Sequence, residues 1–194
     1  MGLIKRITDK AKFNELISFD AEDVFIDYES LKVRINVLKE VMSTLSKTRR
    51  KNQANERLEL IDDIFRVLDF IDVSYDEYLY DLNTLCGLLE KHPNIYLTPK
   101  VSRKVSFVIK SRIEIRKEFE AIYSHFKKLA KGYNDVPMKE ILTKMREVFD
   151  LDSKRQNENY THIYKTYQPK YFDATIAKIN KSLLQANTTI YGIK

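Results

Sequence analysis

Apolar residues recur at alternating steps of four and three along residues 24–45, with mostly polar residues between them. This is the spacing of the a and d positions of a heptad repeat, which lie along one side of an α-helix. We therefore predict a helix here, with Asp20 as its N-cap, after a separate short helix within residues 1–19. The row consists of Val24, Tyr28, Leu31, Ile35, Leu38, Met42 and Leu45.

A second predicted helix covers residues 55–91 and is apolar on more than one side, which favours burial against several neighbours. The run at residues 73–75, Val-Ser-Tyr, is a candidate break or kink, because β-branched side chains are stiff in a helix. His92 precedes Pro93, and a residue before proline is disfavoured in the α region. We therefore expect the helix to end at His92.

Thr98 followed by Pro99 predicts the start of a third helix. A threonine hydroxyl caps the first turn, and proline is tolerated at the first helical position because its missing N–H has no partner there. The apolar row of this helix again alternates by four and three from Val101 to Leu129. At 1.5 Å per residue the helix would be about 50 Å long, which suits an elongated bundle.

Further helices are predicted over about 137–149, around Tyr160 to Tyr167, and over about 173–186. Together the patterns predict an all-α fold, namely an elongated antiparallel helical bundle with coiled-coil-like heptad seams and about six helices. We assign residues 1–150 to the bundle. Residues 151–194 form a basic, Tyr-rich C-terminal helical segment that is either packed on the bundle or partly flexible.

Composition fits this fold class. The 194 residues include four Gly and four Pro, so turns are few. A single cysteine, Cys86, excludes a disulfide within the chain, and it lies in an apolar run that predicts burial. No apolar run reaches the ~18 residues of a membrane span, and the N-terminus lacks the apolar stretch of a signal peptide. We therefore predict a cytoplasmic protein.

The sequence offers little metal or cofactor chemistry. The three histidines, His92, His125 and His162, lie far apart, and no Glu-x-x-His motif occurs for a di-iron site in a bundle. Four glycines leave no Gly-rich phosphate loop. We predict no metal and no cofactor.

Charge is segregated along the chain. The net charge is +6, yet residues 55–91 carry ten acidic and three basic side chains, a net of −7, and residues 98–131 carry ten basic and three acidic ones, a net of +7. Because a short connection favours antiparallel neighbours, we expect these two helices to lie side by side and to neutralise each other. This arrangement is a better interpretation of the basic helix than a nucleic-acid face.

Arg112 occupies a position in the apolar row of the third helix. A buried arginine is costly unless it is paired. We expect a partner from the acidic helix, such as Asp72, Asp76 or Glu77, which would also fix the register. The alternative is that the row opens at Arg112 toward a binding partner.

Positive charge without a local acidic counterpart remains in residues 153–194, which carry seven basic side chains against Glu158 and Asp173. Tyrosines lie between the bases, and single-stranded nucleic acid binds to aromatic planes combined with cations. The alternative is that the tyrosines cap the bundle core while the lysines extend to water. The candidate nucleic-acid-binding residues are Lys154, Arg155, Lys165, Tyr167, Lys170 and Tyr171.

The stretch RQNENYTHIY, residues 155–164, resembles the short Arg/His motif of HEPN ribonucleases, helical proteins of toxin–antitoxin and phage-defence systems. The resemblance implies that His162 acts as an acid/base, that Arg155 stabilises phosphorane charge, that Tyr164 matches a tyrosine of some members, and that two copies meet in a dimer. Gln156 departs from the Asn, Asp or His that is usual there. The other interpretation, which we favour, is a polar helix face on which Glu158 contacts His162.

These patterns favour a non-enzymatic role, as an adaptor, scaffold or assembly component that binds another helical protein or a second copy of itself. The predicted partner face, provided that its helix is not fully covered, consists of Tyr28, Leu31, Ile35, Leu38, Met42 and Leu45. The alternative is a basic nucleic-acid-binding protein, in its sharpest form a dimeric HEPN-like ribonuclease.

Overall fold

The computed structural model describes residues 2–48, 54–92, 96–133 and 136–151, and within these ranges it contains helices and no strand. The all-α fold class is therefore confirmed. The described helices are α1 (Gly2–Lys47), α2 (Ala54–Lys91), α3 (Pro99–Ala130) and α4 (Val136–Val148). The two helices predicted beyond residue 151 lie outside the described residues, so the count of about six and the coiled-coil seams stay predictions.

α1 is one continuous helix, which corrects the predicted boundary near residue 20. It has 46 residues and is about 69 Å long. Asp20 lies within it rather than at its N-cap. The reason is that the buried side extends toward the N-terminus through Phe13, Ile17 and Ala21, so packing continues where capping chemistry suggested a start.

α2 runs unbroken through residues 73–75, so the predicted break there is wrong. Ser74 and Tyr75 are both buried, and the packing of this side outweighs the weak helix propensity of the run. The start of α3 is as predicted. Thr98 is its N-cap and accepts a hydrogen bond from the Val101 amide at 3.4 Å, with Pro99 in the first turn.

α1 packs along both α2 and α3, and α4 packs against both of them from the other side. α1 runs antiparallel to α2, because Arg34 donates to the Phe70 carbonyl oxygen at 2.7 Å while the earlier Asp27 contacts the later Asp81. It runs parallel to α3, because Glu22 pairs with Lys104 and the later Lys39 pairs with the later Glu118. α1 therefore has one edge on the acidic helix and the other on the basic helix.

α2 and α3 are antiparallel but lie diagonally across the bundle, and their backbones scarcely approach each other in the described ranges. They meet through long side chains across the core. The Tyr78 hydroxyl lies 2.8 Å from Ser111 Oγ, and the Tyr75 ring stands edge-on to Phe119 at 5.1 Å.

This arrangement corrects the prediction that α2 and α3 lie side by side and cancel their charges. The ion pairs that join helices run from α1 to α3 and from α4 to α2. Among the described residues these include Lys39–Glu118, Lys104–Glu22 and Lys144–Asp69. The short connection correctly predicted that α2 and α3 are antiparallel. The two helices are not direct neighbours, because the buried row of α1 lies between them.

One hydrophobic core is shared by all four helices. Phe119 of α3 is fully buried and stacks on Phe149, just after α4, with ring centroids 4.2 Å apart. Arg112 lies inside this core, and its positive charge acts on the buried Cys86 thiol of α2. The burial of Arg112 is observed, whereas its predicted role of fixing the register through an acidic partner stays a prediction.

Candidate interaction surface

The predicted partner face on α1 lies in the core. Its six members are between 0% and 4% exposed, namely Tyr28, Leu31, Ile35, Leu38, Met42 and Leu45. The condition on which that prediction rested, an uncovered helix, does not hold, because α2 and α3 cover this side of α1. The row therefore holds the four helices together, and a partner reaching it would have to separate them.

The predicted catalytic and nucleic-acid-binding residues lie outside the described residues. This set consists of Lys154, Arg155, His162, Tyr164, Lys165, Tyr167, Lys170 and Tyr171. Both predictions for this segment stay predictions.

Large hydrophobic side chains are exposed on the outer side of the α1–α2 pair, facing away from α3 and α4. Eight of the twelve large hydrophobics exposed in the described ranges are found there. We call this surface the α1–α2 outer face, and define it by Leu16, Phe19, Ile26, Val33 and Val37 of α1 and Phe70, Val73 and Tyr80 of α2.

On α1 the exposed residues form a second apolar row. Successive members are 3, 7, 7 and 4 residues apart, a spacing that keeps them along one side of a helix. Phe19 is 63% exposed, Ile26 57% and Val33 62%. The row lies nearly opposite the buried one and spans about 32 Å from Leu16 to Val37. α1 is therefore apolar on two sides, and one of them is open.

On α2 the exposed residues continue the same surface. Phe70, Val73 and Tyr80 are 3 and 7 residues apart and also lie on one side of their helix. Arg34 contacts Phe70 in two ways: its guanidinium donates to the Phe70 carbonyl oxygen, and it lies 5.8 Å from the centroid of the Phe70 ring. These contacts place the α2 row beside the α1 row.

A cluster of carboxylates lies along the line where the two helices meet. The Asp27 carboxyl group of α1 lies within hydrogen-bonding reach of the Asp81 carboxyl group of α2. Burial, then the charge of Asp81 and its hydrogen bond, then Glu77 and Asp23 raise the pKa of Asp27 to about 6.

Asp20 extends the carboxylate cluster by two helical turns. Burial, and then the charges of Asp23 and Asp81, raise the pKa of this carboxyl group. One of its oxygens is inaccessible to solvent and has no hydrogen-bond partner within the described residues. Ionising the carboxylates of this cluster therefore costs electrostatic free energy, which is unfavourable for the isolated bundle.

The opposite edge of α1 is different, because its charges are already paired. Shallow grooves between α1 and α3 are lined by Lys39, Glu118, Tyr28 and Glu114 among others. Lys39 pairs with Glu118, and the Tyr28 hydroxyl donates to Glu114 at 2.9 Å. This edge is occupied by interactions within the chain.

The described residues offer neither a metal-ion cluster nor an activated cysteine. No group of three or more His, Cys, Asp or Glu in these ranges is arranged to hold a metal ion. Cys86 is buried, and desolvation raises the pKa of its thiol to about 12, so it is not an activated nucleophile. In the described chain, moreover, no helix has both the length and the hydrophobicity that a membrane crossing requires.

Comparison of the chain with protein-family models, with curated proteins and with solved structures found no match in any of the three.

The sequence also carries the outer row, as a second heptad-spaced series on α1 beside the buried one. Leu16, Phe19, Ile26, Val33 and Val37 follow heptad spacing as closely as the buried row does, with Asp23 and Ser30 at the intervening positions. A search for a second apolar row on a helix that already has one would have found it.

Proposed function

We propose that this chain is a non-enzymatic interaction or assembly component that binds another helical protein through the α1–α2 outer face. The observation that carries the proposal is the concentration of eight exposed large hydrophobics on this one face. Contiguous exposed apolar surface is disfavoured in a protein that stays alone, and it is typical of interaction sites. Apolar residues at heptad spacing suit a partner helix laid along the groove between two helices.

The surface differs from the one predicted from the sequence, although the class of function is the same. The buried row of α1 organises the bundle, while the outer row is free to bind. A helix with two apolar sides needs neighbours on both, and the described structure supplies them on one side only. This supports a partner helix as the missing neighbour.

Binding of nucleic acid stays a prediction for residues 153–194, which the structure does not describe. The α1–α2 outer face itself does not favour it. Carboxylates of Asp20, Asp27 and Asp81 along its centre would repel phosphates.

Photo-crosslinking in the source cells tests the proposal. A photoreactive amino acid at position 26, on the face, is compared with one at position 58. Ile26 and Leu58 are matched in exposure, at 57% and 56%, and Leu58 lies off the face. We expect one defined protein crosslinked from position 26 and not from position 58, and that protein should bind the purified chain. Equal crosslinking from both positions, or none from position 26, would contradict the proposal.

A further inference from the structure

The α1–α2 outer face combines an apolar surface with a central line of negative charge, and this combination specifies the chemistry of a partner. Helices that bind side by side bury their apolar rows and place charged flanking residues along the edges of the contact. Here the line between α1 and α2 carries Asp20, Asp27 and Asp81, with Asp23 and Glu77 beside it. A bound helix would therefore meet carboxylates along the length of its contact.

Among the described residues, no ion pair involves Asp20, Asp27 or Asp81. Arg34, one heptad after Asp27 on the same side of α1, donates to the Phe70 carbonyl oxygen instead. Asp27 and Asp81 instead contact each other, a like-charge arrangement that is relieved only by a proton or by an external cation. A lysine or arginine side chain from a partner would supply that cation.

We propose, resting on the proposed function, that the α1–α2 outer face binds a cationic amphipathic helix of another protein, whose apolar side covers the exposed rows while its Lys or Arg side chains meet the carboxylates of Asp20, Asp27 and Asp81. The span of about 32 Å from Leu16 to Val37 accommodates about three heptads of such a helix. A second copy of this chain is a poorer occupant, because it would bring an identical acidic line against this one.

Three labelled peptides of about three heptads test the inference by fluorescence anisotropy with the full chain. All carry Leu at positions a and d, and they differ by having Lys, Gln or Glu at the flanking positions. We expect the Lys peptide to bind about tenfold more tightly than the Gln peptide, and the Glu peptide to bind least. Equal binding of the Lys and Gln peptides at the face would overturn the charge selection and leave the proposed function standing.

Substitution of the carboxylates separates their effect from that of net charge. In the Asp20→Asn/Asp27→Asn/Asp81→Asn chain, which loses repulsion and should stay folded, we expect about a tenfold loss of affinity for the Lys peptide. The matched control replaces three exposed carboxylates away from the face with the corresponding amides. These are Asp62, Glu90 and Glu140, and we expect at most a twofold change. Equal losses in both chains would overturn the inference.

Thiol protection identifies the occupant. Single Ile26→Cys and Leu58→Cys chains are alkylated with and without the Lys peptide, since Cys86 is buried. Protection at position 26 alone, and only when the peptide is present, supports the inference. Protection at position 26 without peptide would overturn the inference. If that protection does not depend on the protein concentration, a segment of the same chain covers the face. If it grows with the protein concentration, a second copy covers it. If no peptide protects position 26, both this inference and the proposed peptide-helix mode of binding fail.

Discussion

Asp27 of α1 and Asp81 of α2 lie within hydrogen-bonding reach of each other at the line where the two helices meet on their outer side. Burial, and then the charge of the neighbouring Asp81 carboxylate, raise the pKa of Asp27 to about 6. The ionised pair is therefore unfavourable for the bundle at neutral pH. It lies along the exposed apolar surface, where we propose that it selects a cationic partner.

The Asp27→Asn substitution should stabilise the bundle at neutral pH. The folded-state pKa of about 6 lies above the value of about 3.9 in an unfolded chain, so folding favours the protonated form. The stabilisation from this group is complete below about pH 4 and is lost as the pH rises through 6. Asparagine imitates the protonated carboxyl at every pH. We expect a gain of about 1 kcal/mol at pH 7.5, after allowance for solvent screening, in urea unfolding.

The same substitution should flatten the pH dependence of stability. The wild-type chain is expected to be more stable at pH 5 than at pH 7.5 by about half that amount, because the unfolded carboxyl group is already mostly ionised at pH 5. The Asp27→Asn chain should show less of this difference. Asp62→Asn, at an exposed position of α2, serves as the control and should keep the wild-type slope. An unchanged pH dependence in the Asp27→Asn chain would show that folding does not raise the pKa of Asp27.

Asn14 fastens the connection between α2 and α3 to α1. Its side-chain amide donates to the Tyr96 carbonyl oxygen at 3.2 Å, and its oxygen accepts from the Thr98 amide at 2.7 Å. Because these groups are largely buried, Asn14→Ala should lower the free energy of unfolding by about 1–3 kcal/mol. Asn83→Ala, at an exposed position of α2, should change it by less than about 0.5 kcal/mol in the same urea titration. Similar losses of unfolding free energy for both substitutions would show that the hydrogen bonds of Asn14 do not stabilise the connection.

Cys86 should be nearly inert in the folded chain. Desolvation raises its pKa to about 12, partly offset by the charge of Arg112, so very little thiolate is present at pH 8. We expect iodoacetamide to label it at least about 100-fold more slowly in the native chain than in urea. An Ile26→Cys chain provides the positive control, because position 26 is exposed. Labelling of native Cys86 at the unfolded rate would indicate that the core around it opens readily.

The positions of the helices could be predicted from the sequence better than which helices pack against each other. The buried row from Val24 to Leu45, the capping of α3 by Thr98 and the interior position of Arg112 all follow from local spacing and chemistry. Asp20 was misassigned as a cap because a short polar residue before an apolar row has the same local signature within a helix as at its start. Only the burial of Ile17 and Ala21 distinguishes the two cases.

The pairing of helices could not be derived from net charge. Opposite totals on α2 and α3 suggested direct contact, but exposed ion pairs contribute too little to decide packing, whereas buried apolar area contributes most. The row of α1 contacts both helices, and Lys39 and Glu22 of α1 then complete ion pairs to α3. The contact between Asp27 and Asp81 likewise depends on the register of α1 against α2, which no local pattern encodes.

The most direct test of the docking surface is the affinity of the Lys peptide for chains altered on and off the α1–α2 outer face. Ile26→Ser/Tyr80→Ser removes two large side chains from the face, while Leu58→Ser/Phe107→Ser removes two exposed ones elsewhere. Because buried aromatic and aliphatic side chains near the centre of an interface dominate binding, we expect a loss of tenfold or more, about 1.4 kcal/mol, for the first chain and less than about twofold for the second. Equal affinities of the two altered chains, whether both retained or both lost, would contradict the assignment of this surface.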